Sequence, residues 1–202
     1  MGDNRSKTAL RRHALQTRDA IPCCERRERS QRICHELIAL LDVLTGSRAA
    51  TSTVAVYAAM RSEVDLDAFI LGAYERGCRV AFPCMQEGQT HQVMCMRAVS
   101  AHDYRENTAP FIVHPVASFE PASGEADCFP LVLPSEIDMV TVPLVAFDPQ
   151  RNRLGYGGGN YDRYLPDLRP DCLVVGVAFA EQQVERVPTE PHDRPLPRII
   201  AG

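Results

Sequence analysis

The chain predicts an α/β fold of three layers: a mainly parallel, twisted sheet with helices on both faces. Three observations predict it. Apolar runs of strand length alternate with helical patterns along the chain. Residues 52–82 read as a strand–helix–strand unit, which requires a crossover between parallel strands. A glycine-rich segment at 155–159 stands between a strand and a helix, as ligand loops do in such folds. The 202 residues fit one domain spanning 1–202.

Residues 6–18 read as a short helix that brings Lys7 and Arg11, four apart, onto one face. Ile21–Pro22 break it, and the proline suits the first turn of a second helix. There Ile33, Leu37, Leu40, Leu41 and Leu44 form an amphipathic stripe, and Gly46 closes the helix. A buried strand is expected over 52–59, a helix over 65–76 ending at Gly77, and a strand over 78–82 stopped by Pro83. A further strand is expected over 91–98. Residues 109–136, with five prolines, read as an irregular excursion. One strand is expected over 138–147, with Pro143 at a bulge or at its end. A turn follows at 148–152, then the glycine loop, a helix over 161–168, a strand over 172–180 and a proline-rich tail.

Composition excludes several classes. The net charge of −4 speaks against a general nucleic-acid binder. No apolar run reaches the ~18 residues of a membrane span, and Met1 to Leu10 lack a signal-peptide core. A cytoplasmic protein is expected, in contact with neither nucleic acid nor membrane. The eight cysteines contain no C-x-x-C pair, so they read as small buried hydrophobes in a reducing compartment. Charge is uneven: net +4 over residues 1–50 and −8 over the rest. The basic segment can meet an anionic ligand, although Arg26, Arg27, Arg29 and Arg32 fit a solvated helix face equally well. Of the 22 Lys and Arg residues, Lys7 is the single lysine. A lysine ammonium is a point charge where arginine presents a planar fork, so the two differ at a phosphate.

The segment Gly155-Tyr156-Gly157-Gly158-Gly159 lets main-chain N–H groups approach an anion closely. The helix behind it adds a favourable dipole. It matches neither the P-loop nor the dinucleotide fingerprint. Arg153 can pair with phosphate oxygens and Asp162 can hold a metal beside them. Glu63, just after a buried strand, has two readings: recognition of N–H donors on a polar heterocycle, or, favoured on composition, a carboxylate at a helix N-terminus. Asp193, within Pro191-His192-Asp193-Arg194, reads as a turn residue, and as a second metal carboxylate only if the tail folds back onto the loop.

The string Arg153-Leu-Gly-Tyr-Gly-Gly-Gly-Asn-Tyr-Asp-Arg163 carries a specific resemblance. So, in order, do Lys7-x-x-Leu10-Arg11, Tyr57…Ser62-Glu63, Val142-Pro143…Phe147-Asp148 and Val177-Ala-Phe179…Gln182…Val187-Pro188…His192-Asp193. Over nearly its whole length the chain resembles the 5-formyltetrahydrofolate cyclo-ligase family, also called 5,10-methenyltetrahydrofolate synthetase. The resemblance implies a NagB/RpiA-like, Rossmann-like fold. It implies ATP-dependent closure of 5-formyltetrahydrofolate, polyglutamylated forms included, to 5,10-methenyltetrahydrofolate, with release of ADP and phosphate. It implies Mg2+ as cofactor and a monomer or weak homodimer.

Position by position, the resemblance sets Lys7, Arg11 and Arg153 as catalytic groups on the nucleotide phosphates, Arg11 near the folate as well. The ATP loop is Arg153, Leu154, Gly155, Tyr156, Gly157, Gly158, Gly159, Asn160 and Tyr161. Glu63, Ala58 and Tyr156 line the substrate side, and Asp162 and Asp193 are the magnesium carboxylates. Asn160 departs from the family's usual first tyrosine of a pair and loses a stacking ring. Gly158 stands where some members carry a lysine. Alternatives are a non-catalytic nucleotide- or folate-binding regulator, a sugar-phosphate isomerase using the glycine loop, and RNA contact through the basic first 50 residues.

Overall fold

The computed structural model describes residues 4–46, 51–88, 92–120, 128–190 and 193–202. Two helices open the chain, α1 (Asn4–Ala20) and α2 (Cys23–Gly46). They are followed by β1 (Thr53–Ala55), α3 (Asp67–Glu75), β2 (Arg79–Gln86), β3 (Val93–Val99), α4 (Ala101–Arg105) and α5 (Pro110–Val113). Next come β4 (Leu131–Val132), β5 (Met139–Pro143), β6 (Ala146–Phe147), β7 (Arg153–Leu154), α6 (Asn160–Tyr164), β8 (Leu173–Ala178) and β9 (Arg198–Ala201). Among the described residues, no helix is long and apolar enough to cross a membrane.

Seven strands form one sheet in the order β4-β3-β2-β1-β5-β8-β9, and β6 and β7 form a separate hairpin. The pairs β1–β2, β1–β5, β5–β8 and β8–β9 are parallel, while β2–β3 and β3–β4 are antiparallel. The sheet is therefore mainly parallel, as expected, with an antiparallel edge. Successive side chains alternate between its faces. Val80, Phe82 and Cys84 enter one layer, and Ala81 and Met85 the other. The first face is covered by Ile33, Leu37 and Leu41 of α2 and Phe69 of α3, all fully buried. The second face is covered by short pieces: Tyr164 of α6, Leu165, Leu168, Leu196 and Phe147. Helices lie on both faces, α2 and α3 on one and the short α6 on the other, while α1 packs beside the hairpin.

Several elements differ from expectation for identifiable reasons. The first strand ends at Ala55, and Val56 N–H makes a last bond to the Ala81 carbonyl (2.9 Å) before the chain leaves the sheet. Pro83 does not stop β2, which continues to Gln86. Residues 79, 81 and 83 direct their backbone groups to the same side, where Arg79 N–H and Ala81 C=O bond the β1 segment. At Pro83 that segment has already turned away, so the missing N–H costs no ladder bond. The strand expected over 138–147 divides after Pro143 into β5 and β6. The helix expected over 161–168 runs only to Tyr164 and then tightens into a 3-10 turn, Leu165–Asp167, containing Pro166. The excursion at 109–136 holds α5, β4 and a 3-10 turn; its residues 121–127 lie outside the described residues, as do His91, Pro191 and His192. The proline-rich tail ends in β9, an edge strand parallel to β8.

The cysteine expectation holds for Cys34, Cys78, Cys84 and Cys172, which are buried, and fails for Cys23, Cys24 and Cys128, which are exposed. Cys23 and Cys24 form the outward first turn of α2. Arg27 and Arg32 are exposed, and Arg29 pairs with Glu25 and Glu181, as a solvated helix face requires.

The β6–β7 hairpin is built on Asp148, which is 1% exposed. Its Oδ1 accepts from the main-chain N–H groups of Gln150 and Asn152, both at 3.0 Å. Its Oδ2 accepts from Val187 N–H (3.0 Å) and Asn152 Nδ2 (2.9 Å). Burial alone would raise this carboxyl, but these donors outweigh burial and hold it below the usual range. A carboxyl lowered in the folded state contributes stability above its unfolded pKa of about 3.9 and loses it as pH falls through the folded value. Asp148→Asn is expected to destabilise the fold by about 1–3 kcal/mol at neutral pH, because a donor replaces an acceptor facing Val187 N–H. Urea unfolding should show that difference shrinking as the pH is taken below about 4.

Candidate functional site

Strand order reverses at the centre of the sheet. The chain steps from β1 outward to β2, and later from β5 outward to β8 and β9. In open α/β sheets ligands bind beyond the carboxyl ends of the strands at such a switch point. A cleft of 780 Å³ lies there, bordered by Tyr57 and Ala58 after β1, Pro83 in β2 and Pro143 at the end of β5. Lys7, Arg11, Ala58, Glu63, Arg153, the whole loop 154–161, Asp162 and Asp193 all open on this one cleft. Every site residue expected from the sequence is thus brought together.

Helix α1 supplies the cations. Its apolar positions Leu10 and Ala14 pack against Val145, Ala146, Leu154 and Val187, which fixes the helix beside the hairpin. Arg11 is thereby directed at the glycine loop, where its Nε donates to the Gly155 carbonyl at 2.8 Å. Gly157 has φ +107, a conformation side chains rarely adopt, and a Cβ there would lie 3.6 Å from Arg11 Cζ. Gly159 has φ +64 and precedes α6. With only five residues α6 adds little dipole, so any attraction for an anion would come from the loop's main-chain N–H groups and the surrounding cations.

Two cations of the cleft, Lys7 and Arg153, are paired with carboxylates. Lys7 Nζ lies 3.1 Å from Asp193 Oδ2 and 3.6 Å from Glu190 Oε2. Arg153 pairs with Asp162, and its Nη1 donates to the Arg194 carbonyl at 3.3 Å. The tail does fold back, as a metal role for Asp193 requires. Among the described residues, no group of three His, Cys, Asp or Glu is arranged to hold a metal ion. Two carboxylates beside the glycine loop nevertheless have the chemistry to fit magnesium, which is commonly held by one or two carboxylates plus phosphate oxygens.

Glu63 corrects the favoured sequence reading: it lies on a turn ahead of α3, not in the first turn of a helix. The Tyr57 hydroxyl, donating to the Val64 carbonyl at 2.9 Å, braces this turn. Glu63 Oε2 accepts from Met60 N–H and Oε1 from the Tyr156 hydroxyl, both at 2.8 Å. Burial raises the Glu63 carboxyl; the Met60 and Tyr156 bonds and the charge of Arg18 oppose that rise. The Tyr156 phenol is itself pushed up to about 12, first by burial and then by Glu63.

Arg18 was not anticipated. It is 1% exposed and donates to Ser62 Oγ (3.0 Å) and the Tyr156 hydroxyl (2.9 Å), while Ser62 bonds Asp19. Lys7, Arg11 and Arg18 stand at spacings of four and seven on one helical stripe, a pattern that extends the expected pair and carries the signal for it. Met85, Met94 and Glu190 also line the cleft, and nothing local in the sequence marks them. Asn160 turns to its own helix: Oδ1 accepts from Arg163 (2.8 Å) and Nδ2 lies 3.7 Å from the Met85 sulfur. The Tyr161 hydroxyl is buried with no hydrogen-bond partner among the described residues.

The chain is similar to known proteins over most of its length. A model of the 5-formyltetrahydrofolate cyclo-ligase family matches residues 3–202. The 5-formyltetrahydrofolate cyclo-ligase of Haemophilus influenzae is 32% identical over 150 residues, 74% of this chain and 75% of that protein. The one from Mycoplasma pneumoniae is 29% identical over 194 residues, 96% of this chain and 97% of that protein. Among solved structures, a 5,10-methenyltetrahydrofolate synthetase from Mycoplasma pneumoniae superposes with a TM-score of 0.70 at 26% identity, covering 96% of this chain and 97% of that chain. The Aquifex aeolicus synthetase gives a TM-score of 0.69 at 28% identity, covering 96% of this chain and 89% of that chain. The chain is a ligase and belongs to the 5-formyltetrahydrofolate cyclo-ligase family.

Proposed function

We propose that this cleft binds ATP and 5-formyltetrahydrofolate together and closes the folate to 5,10-methenyltetrahydrofolate, releasing ADP and phosphate. The observation that carries the reading is the continuity of the cleft. Arg11 clamps the glycine loop at one end, and Tyr156 of that same loop bonds Glu63 at the other. A nucleotide site and a heterocycle site are therefore joined through one residue.

The formamide oxygen is a poor leaving group. Transfer of the γ-phosphoryl group onto it gives an iminium phosphate; N10 of the folate then attacks that carbon, loses its proton, and phosphate departs. Such chemistry needs positioning and charge stabilisation rather than a protein nucleophile. Lys7, Arg11 and Arg153 neutralise the triphosphate, with the main-chain N–H groups of 155–159 around it. Ionised Glu63 accepts from N–H donors of the pterin, and Ala58 and Tyr156 line that side. Asp162 and Asp193 would hold Mg2+, which when bound neutralises charge on the transferring phosphoryl group. We place the enzyme in the cytoplasm, acting as a monomer or weak homodimer; the largely buried thiols Cys34, Cys78 and Cys84 suit a reducing compartment.

Purified protein with Mg-ATP should convert 5-formyltetrahydrofolate to the methenyl product, followed by ultraviolet absorbance alongside ADP release. Folded protein that gives neither product defeats the reading. Lys7→Ala should lower kcat by about 10²-fold, the cost of one donor on developing charge. Asp162→Asn should lower turnover strongly, and chelation of the metal should abolish it. If both variants turn over like the parent, the assigned roles are wrong.

Tyr156→Phe removes a donor to a charged group, worth about 1.5–3 kcal/mol. It should raise the KM for the folate about tenfold or more and raise the Glu63 carboxyl further. Because burial has already raised Glu63, folate affinity should fall on acidification at a higher pH than an ordinary glutamate, about 4.3, would give. Binding titrations across pH 4–7 on parent and Tyr156→Phe check both points.

A further inference from the structure

Behind the cleft wall, β2 and β3 hold two cysteines directly opposite each other, Cys84 and Cys95. Their neighbours Met85 and Met94, likewise paired, turn to the other face and line the cleft. Opposed residues of an antiparallel pair have Cα atoms about 4.5–5.5 Å apart, inside the range a disulfide spans. The Cys95 thiol donates to the Cys84 carbonyl oxygen at 3.5 Å, which seats its side chain against the Cys84 main chain.

Two residues along β3, on the same face, stands Arg97. It is 6% exposed. Its Nη1 donates to the Phe129 carbonyl at 2.8 Å and its Cζ lies 5.9 Å from the Phe119 ring centre. Its Nε is buried with no hydrogen-bond partner, and among the described residues no carboxylate pairs with it. A guanidinium taken out of water without an anion is costly. The acidic groups beside it on this face are the two thiols.

We propose that Cys95, on the same face as Arg97, is the site at which a hydroperoxide oxidises the protein, closing a Cys84–Cys95 disulfide. The inference does not depend on how the cleft is read. The hydrogen bond between the two thiols lowers Cys95 most; burial opposes this and Arg97 adds to the lowering, so Cys95 lies below the ordinary thiol range while Cys84 is pushed up. Cys95 is half-buried and reachable, whereas Cys84 is fully buried. The thiolate attacks the O–O bond, forming Cys95–SOH and releasing hydroxide or alkoxide, which takes up a proton. The Cys84 sulfur then attacks the Cys95 sulfur; the S–O bond breaks, and hydroxide leaves with the Cys84 proton as water. Two thiols lose two electrons and the peroxide is reduced.

The titratable and charged groups facing Cys95 are Cys84 from β2 and Arg97 from β3. Peptide mass spectrometry of the full chain treated with hydrogen peroxide, without reductant, should find Cys84 linked to Cys95 and separated by dithiothreitol. Iodoacetamide labelling across pH should give Cys95 a midpoint below the ordinary thiol value of about 8.5. Arg97→Met should move the Cys95 midpoint up toward the ordinary thiol value. Should that variant fail to fold, Cys84→Ser gives an independent reading: peroxide then leaves a sulfenic acid on Cys95 that dimedone traps. An ordinary midpoint for Cys95 in the parent, or peroxide linkage confined to Cys23, Cys24 or Cys128, overturns the proposal.

Discussion

The Arg11 guanidinium donates to the Gly155 carbonyl at 2.8 Å, and this bond joins the first helix to a loop 144 residues further along the chain. Without it, the glycines at 155–159 would be a flexible link between a two-residue strand and a five-residue helix. Glycine loses more conformational freedom on ordering than any other residue. An anion cradle of glycines therefore needs an external clamp if ligand binding is not to supply the whole ordering cost. Asp148 fixes the loop's entrance from one side by closing the hairpin turn. Arg11 fixes its course from the other. The position of Arg11 depends in turn on the apolar contact of Leu10 and Ala14 with the hairpin, which sets the depth of the helix.

The same helix carries a second tie. Arg18 reaches the Tyr156 hydroxyl, and Tyr156 reaches Glu63. Tyr156 belongs by sequence to the glycine loop and by contact to the Glu63 turn. Any shift of the loop on binding an anion must move or break this chain of bonds. Arg18 also gives the buried Glu63 carboxylate a nearby positive charge without touching it, which favours the ionised form that can accept from N–H donors.

How much of this was legible in the sequence follows from the range over which each feature is decided. The α2 stripe, the helix break at Ile21–Pro22 and the parallel centre of the sheet are local patterns, and they were readable. The true length of β1 was not, because Thr53–Ala55 ends where its partner strands allow. Nor was passage of β2 through Pro83, which depends on which neighbour a missing N–H would have faced. The tail hid β9, since four residues of strand only make sense once β8 is known to offer an edge. Lys7, Arg153 to Asp162 and Glu63 were named from motif and resemblance. Glu63's environment was misjudged because its partner Tyr156 lies 93 residues away. Arg18 sat in plain view on the α1 stripe but acquires meaning only through Tyr156.

The pairing of charges in the cleft bears on what it accepts. Lys7 is held by Asp193 and Glu190, and Arg153 by Asp162. These partly exposed pairs are each worth little in themselves, about 0–1 kcal/mol, so they can be exchanged at small cost. A bare polyanion entering would win the cations but leave the carboxylates facing its own negative charge. On the proposed reading, a triphosphate bearing a divalent cation would satisfy both sets: Lys7, Arg11 and Arg153 would hold its free oxygens, and the carboxylates so released would hold its metal. A cleft lined by cations alone would bind any phosphate. One lined by ion pairs that must open together discriminates in favour of the metal-loaded nucleotide, and on the proposed reading this is the selectivity that Asp162 and Asp193 add to the glycine loop.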